Sequence, residues 1–168
     1  MDFKKYCYRI YCDEFGKDAF ADELFEKCFD YCKYFCVDGI PVAILFLLPC
    51  NIVLNNEVLS AKYVFAVTTS FKHRGKGYMS TLLKELDNSD ILFLKTANDN
   101  LISFYEKLGY KTFEAIKRTA GEKRVVLEKD FLSLAEKYAI INNEKFVAMY
   151  NYKHNIDLNG LSFAYSME

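Results

Sequence analysis

Arg74, Gly75, Lys76 and Gly77 set two cations and two glycines side by side, where the apolar run Val64–Thr69 leads through a turn into a helical pattern over Lys76–Leu86. That combination suits an oxyanion. The first N–H groups of a helix point outward with partial positive charge, and glycines let a ligand come close to the backbone, so a pyrophosphate fits such a turn. Arg74 and Lys76 add full charges. The turn is not a nucleotide-binding P-loop, because the glycine that motif needs ahead of Gly-Lys is missing before Gly75, and it does not match Gly-x-Gly-x-x-Gly. The expected anion cradle is therefore Arg74, Gly75, Lys76, Gly77, Tyr78, Met79 and Ser80.

A second constellation is Asn98-Asp-Asn-Leu-Ile-Ser-Phe-Tyr-Glu-Lys-Leu-Gly-Tyr110. Asn98 is a good helix N-cap, Leu101, Ile102, Phe104, Tyr105 and Leu108 form a helical apolar stripe, and Gly109 is a natural terminator. Taken in order, the two segments resemble successive motifs of the GCN5-related N-acetyltransferase (GNAT) superfamily: the acetyl-CoA turn Gln/Arg-x-x-Gly-x-Gly/Ala, then a helix opened by Asn, carrying a Tyr and closed by Leu-Gly-Phe or Leu-Gly-Tyr. Two registers fit the turn. Arg74-x-x-Gly77-x-Met79 keeps the usual strand-to-turn spacing but has Met79 where Gly or Ala is expected; Lys72-x-x-Gly75-x-Gly77 keeps both glycines but has Lys for Gln or Arg. The resemblance is close over residues 59–118 and loose over 1–58, and it gives no pattern past residue 129.

The resemblance implies acetyl-CoA as co-substrate, no metal, and direct attack by a primary amine of a small molecule or a protein in a ternary complex. It implies that the backbone of Val67, Thr68 and Thr69 pairs with the pantetheine arm as a neighbouring strand would. An N–H near Thr69 would face the thioester carbonyl, and such oxyanion donors are typically worth roughly 3 kcal/mol of barrier. Tyr105 would sit near the leaving sulfur. A phenol pKa of about 10 against a thiol of about 8.5 makes full proton donation uphill by roughly 2 kcal/mol, so hydrogen bonding to the departing thiolate is the larger part of its expected role. Asn98 would cap its helix and contact the cofactor as a second duty. On the acceptor side no residue announces itself as general base; His73, His154, Glu57, Glu114 and Glu168 are the candidates, and Tyr165–Glu168 at the chain's end could hold a cationic amine.

Composition narrows the classes. The 168 residues carry a net charge of −1 with basic residues spread along the chain, which argues against nucleic acid as partner. The longest apolar run, Ile40–Leu48, is too short to span a bilayer, and Met-Asp-Phe-Lys-Lys leads into polar residues, so a cytoplasmic protein without membrane contact, monomeric or homodimeric, is expected. All six cysteines fall between Cys7 and Cys50. Cys28, Cys32 and Cys36 would make one stripe on a helix, but zinc sites favour Cys-x-x-Cys and no His is near, so they are expected as reduced packing residues.

These residues need positioning elements. Phe3, Tyr6, Cys7, Ile10 and Tyr11 predict one helix, and Asp18 with Phe20, Leu24, Phe25 and Cys28 a second. Asp38-Gly39 predicts a tight hairpin between strands Tyr34–Val37 and Ile40–Leu48, and Asn55-Asn56 a turn before strand Leu59–Thr69. Helix Lys76–Leu86, presenting Met79, Leu82, Leu83 and Leu86 to the core, strand Ile91–Lys95, the Asn98 helix and strand Tyr110–Ile116 follow. Strand Arg124–Leu127, helix Phe131–Tyr138 and a terminal hairpin of Phe146–Tyr152 with Leu161–Tyr165 complete the chain. The expectation is an α/β (α+β) fold with a mixed, mostly antiparallel sheet flanked by helices. It forms one domain of three parts: helices and hairpin (1–58), cofactor core (59–118) and C-terminal extension (119–168).

Overall fold

A computed structural model describes residues 1–164. The expected Tyr165–Glu168 acceptor segment lies outside them. Contacts divide the described residues into two compact units, residues 1–47 with 64–86, and residues 48–63 with those from 87 onward. Strands β2 (Ile40–Leu54) and β3 (Glu57–Thr69) run through both.

The first unit begins with α1 (Phe3–Phe15) and α2 (Ala19–Cys28). Each starts where an aspartate satisfies a free backbone donor: Asp2 accepts from Lys5 N at 3.2 Å and Asp18 from Ala21 N at 2.8 Å. Gly16, at φ 93°, ends α1 and returns its N–H to the Cys12 carbonyl. β1 (Cys32–Val37) pairs antiparallel with β2 through Asp38 and Gly39, both at positive φ as a two-residue hairpin requires. α2 buries Leu24 and Phe25 in this unit's core, where the Phe25 ring meets Phe46 edge-on at 5.3 Å and Tyr11 at 5.6 Å. Cys28, Cys32 and Cys36 do not share a helix stripe: the first closes α2 and the other two lie on β1, because the helix stops after Cys28 in a 3₁₀ turn at Phe29–Tyr31. α3 (Tyr78–Lys84) is shorter than the expected 76–86; Leu82 and Leu83 are buried, while Met79 and Leu86 are half-buried.

In the second unit β3 runs parallel to β4 (Ile91–Lys95), with Ala61, Lys62 and Tyr63 opposite Ile91, Leu92 and Phe93. The remaining elements are α4 (Ile102–Glu106), β5 (Lys111–Ile116), β6 (Lys123–Leu127), α5 (Lys129–Tyr138), β7 (Lys145–Asn151) and β8 (Leu161–Ser162). The strand order β2-β3-β4-β7-β5-β8-β6 returns to β2, which pairs with β6 from Cys50–Leu127 to Leu54–Lys123. Tyr63, Phe93, Phe131 and Phe163 form the core, with Phe163 4.8 Å from Tyr63 and 5.5 Å from Phe93. The fold is thus the expected α/β arrangement of a mixed, mostly antiparallel sheet with flanking helices.

The terminal hairpin is not formed as expected. β7 has both edges taken, by β4 and β5, so Leu161 and Ser162 pair in parallel with β5, on its other side, and with Arg124 of β6. The sequence marks both segments as strands, but hydrophobic pattern does not choose a partner.

Candidate active site

The predicted anion turn lies wholly in the first unit. β3 continues past its paired segment through Val64 to Thr69, and at Ala66 the backbone turns to φ 56°, a left-handed conformation that a non-glycine residue in a strand rarely takes. Thr68 is buried; Val67 and Thr69 are half-buried. The strand's end is tied down where Ser70 N donates to the Val42 carbonyl at 2.8 Å, and Phe71–His73 then make a 3₁₀ turn. Gly75 and Gly77 both have positive φ, 75° and 80°, with nothing within 4 Å of where a Cβ would stand. These glycines are therefore required by backbone conformation, and the space above them is open. Gly77 caps α3, whose first intrahelical bond runs from Thr81 N to the Gly77 carbonyl at 3.1 Å. The N–H groups of Tyr78, Met79 and Ser80 precede that bond, so no helical carbonyl reaches them.

Two features of the turn were not legible in the sequence. Arg74 is engaged by the protein itself: Nη2 donates to Glu14 Oε2 at 2.7 Å, Nε donates to the Thr69 carbonyl at 3.0 Å, and the guanidinium lies 3.9 Å from the centre of the Phe71 ring. Glu14 is sixty positions away in the chain, and no local pattern marks it as a partner. Tyr78 stacks on Phe35 of β1 at 5.4 Å, which fixes the start of α3. Lys72 and Lys76 are exposed and make no ion pair among the described residues. His73 Nδ1 is buried without a hydrogen-bond partner among them.

Asn98 and Tyr105 belong to the second unit. Asn98 accepts from Asn100 N at 3.0 Å and opens a 3₁₀ turn, Asp99–Leu101, that leads into α4, so the expected helix is present with a tighter first turn. Tyr105 is 4% exposed, with Phe104 at 5.1 Å and Tyr110 at 5.6 Å, and its carbonyl accepts from Leu108 and Tyr110. Gly109, at φ 93°, terminates the segment. The Tyr110 hydroxyl is buried with no hydrogen-bond partner among the described residues, and loss of hydration pushes its pKa up to about 12. Of the candidate bases, Glu114 is exposed and 3.4 Å from Lys145, Glu57 and His154 are exposed, and Glu168 lies outside the described residues. Among the described residues no group of three or more His, Cys, Asp or Glu is placed to hold a metal ion, and no helix is long and apolar enough to cross a membrane.

Residues 13–113 match the family model of the acetyltransferase (GNAT) domain. No curated protein matches the chain. Among solved structures, a GCN5-related N-acetyltransferase from Anabaena variabilis is 18% identical with a TM-score of 0.54, over 67% of this chain and 32% of its own. One from Kribbella flavida is 14% identical with a TM-score of 0.60, over 90% and 53%. The chain thus spans between a third and about half the length of these two. The ribosomal-protein-S18-alanine N-acetyltransferase of Escherichia coli is 13% identical with a TM-score of 0.54, over 90% of both chains. At such identities the structures establish the fold, and the family model, which covers more than half of the sequence, establishes the family: this chain belongs to the GNAT acetyltransferases.

Proposed function

We propose that this protein transfers the acetyl group of acetyl-CoA to a primary amine of a small molecule or a protein, by direct attack and without a covalent enzyme intermediate. The observation that carries this reading is the turn Arg74–Gly77 beyond a strand with a left-handed residue at Ala66, with both glycines in left-handed conformation and open space above them. Acetyl-CoA would supply an activated thioester; the chain would bind and orient it. The N–H groups of Gly75 to Ser80 and the Lys76 ammonium would hold the pyrophosphate, and Val67, Thr68 and Thr69 would lend backbone groups to the pantetheine arm. A backbone N–H near Thr69 would stabilise the developing oxyanion. Tyr105 would hydrogen-bond the departing thiolate, and Asn98 would contribute beside the helix it caps. The free state of all six cysteines fits a reducing, cytoplasmic setting.

A second reading, an acyl-CoA-binding module without catalysis, draws on the burial of Tyr105 among aromatic rings. The two separate by experiment. CoA and acetyl-CoA should raise the melting temperature of the parent, and Gly77→Glu, which sets a carboxylate and a strained φ in the cradle, should abolish the rise. An unchanged rise in Gly77→Glu removes the turn from the site. Release of free thiol from acetyl-CoA across a broad amine panel establishes transfer; binding without thiol release favours the module.

A further inference from the structure

Between β5 and the start of β6 the chain places Lys117, Arg118, Lys123 and Arg124. Their partners differ by type. Lys117 Nζ lies 3.8 Å from Glu144 Oε2; Lys123 Nζ lies 3.4 Å from Asp157 Oδ2 and donates to the Asp157 and Asn159 carbonyls at 2.9 and 3.0 Å. The arginines meet only neutral oxygens among the described residues: Arg118 Nε donates to the Ser162 hydroxyl at 2.7 Å, and Arg124 Nη1 to the Gly121 carbonyl at 3.5 Å, the outer limit of a hydrogen bond. Both arginines are half-buried.

The frame around them is rigid. Ser162 is 2% exposed, stands opposite Arg124 in the strand register, and gives its own proton to the Ala120 carbonyl at 3.0 Å, which turns its lone pairs to Arg118. Gly121 is a glycine for want of space: its φ is not left-handed, yet a Cβ there would stand 2.4 Å from Ser162 Oγ and 3.2 Å from Arg118 Nη2. Two guanidinium groups thus converge on the Gly121 peptide. With Nε anchored, the Arg118 Nη groups make no hydrogen bond among the described residues. Like charges brought together out of bulk water repel, and a half-buried cation without a counter-charge is unfavourable, so the arrangement calls for an anion that both can share. A planar guanidinium offers paired N–H groups that match a carboxylate or a phosphate.

We propose that Arg118 and Arg124, framed by Gly121 and Ser162, bind an oxyanion, a carboxylate or phosphate group of a small ligand. The site lies wholly within the second unit and is independent of the cofactor turn. It can be tested on the full chain by following the arginine Nε–Hε resonances during titration with sodium phosphate and, separately, sodium acetate, at ionic strength held constant with chloride. The Arg118 and Arg124 resonances should shift saturably, and Arg118→Gln or Arg124→Gln should weaken binding by about tenfold or more, as expected for loss of a charged hydrogen-bond donor. The response should persist in Gly77→Glu, which separates this site from the proposed cofactor cradle. Saturation by phosphate alone assigns a phosphate ligand, and saturation by acetate as well assigns a carboxylate. Arg124→Gln leaves the Ser162 contact intact and carries the test if Arg118→Gln fails to fold. No saturable shift with either anion, or equal binding in the parent and the Gln variants, would overturn the proposal.

Discussion

Arg74 holds the Thr69 carbonyl and Glu14 while lying over Phe71, so the residue that the motif marks for phosphate also ties α1 to the end of β3. An ion pair of this exposure adds little to stability, since both partners remain well hydrated, and its effect is on where the guanidinium points. Tyr105 has a different setting. It is nearly fully buried, and its expected action falls on a thiolate that exists only as the bond breaks. Tyr105→Phe should therefore lower turnover by roughly ten- to a thousandfold with little change in acetyl-CoA affinity. Steady-state kinetics beside a direct binding titration check this, and equal turnover would assign Tyr105 to the core.

Among the elements, the short helices around the site depend on their caps more than on their length. α2 has ten residues and begins at Asp18, whose carboxylate takes the part-buried Ala21 N–H. Its buried face, Phe20, Leu24 and Phe25, anchors the first unit's core, so loss of the cap is felt there. Asp18→Ala should destabilise by about 1 kcal/mol, read as a lower urea midpoint at unchanged slope. Asp18→Asn or Asp18→Ser, which keep an acceptor oxygen, should recover most of the loss; recovery by neither would mean that the cap is not what holds α2. α3 shows the other means of starting a helix, a glycine at positive φ with no side-chain cap, which leaves its first N–H groups without a helical carbonyl partner.

For the molecule as a whole, buried groups that stay protonated make stability depend on alkaline pH. The Cys32 thiol is pushed up by its hydrogen bond with Cys7 and by burial, the Cys50 thiol by burial, and the Tyr110 phenol by burial to about 12. Their folded pKa values exceed the unfolded ones, so the associated stability is fully present below the unfolded values, about 8.5 for thiols and 10 for phenols, and is lost as pH rises toward the folded ones. Urea midpoints should fall between pH 8 and 10.5, with Tyr110 contributing its share between about 10 and 12. Tyr110→Phe, which removes a buried hydroxyl without a partner among the described residues, should raise the stability at pH 7 by about 1 kcal/mol, read as a higher urea midpoint, and flatten the fall above pH 10. A midpoint that is level through pH 10.5 would show that these groups titrate normally.

What the sequence determined by itself was local. Asp18 and Asn98 announced their caps, Asp38-Gly39 its hairpin, and Gly75 and Gly77 their turn, because each acts on neighbours a few residues away through sterics or a short hydrogen bond. The family motifs were legible for the same reason, since strand, turn and helix follow one another without a long connection. Only the tertiary structure decided what depends on distant residues: that Glu14 takes Arg74, that Ala66 bends β3 beyond its pairing with β4, and that Ser162 joins β5 and β6 beside Arg118. A strand's alternation says which face is buried and nothing about which edge finds a partner, so Leu161–Ser162 could be recognised as a strand but not placed.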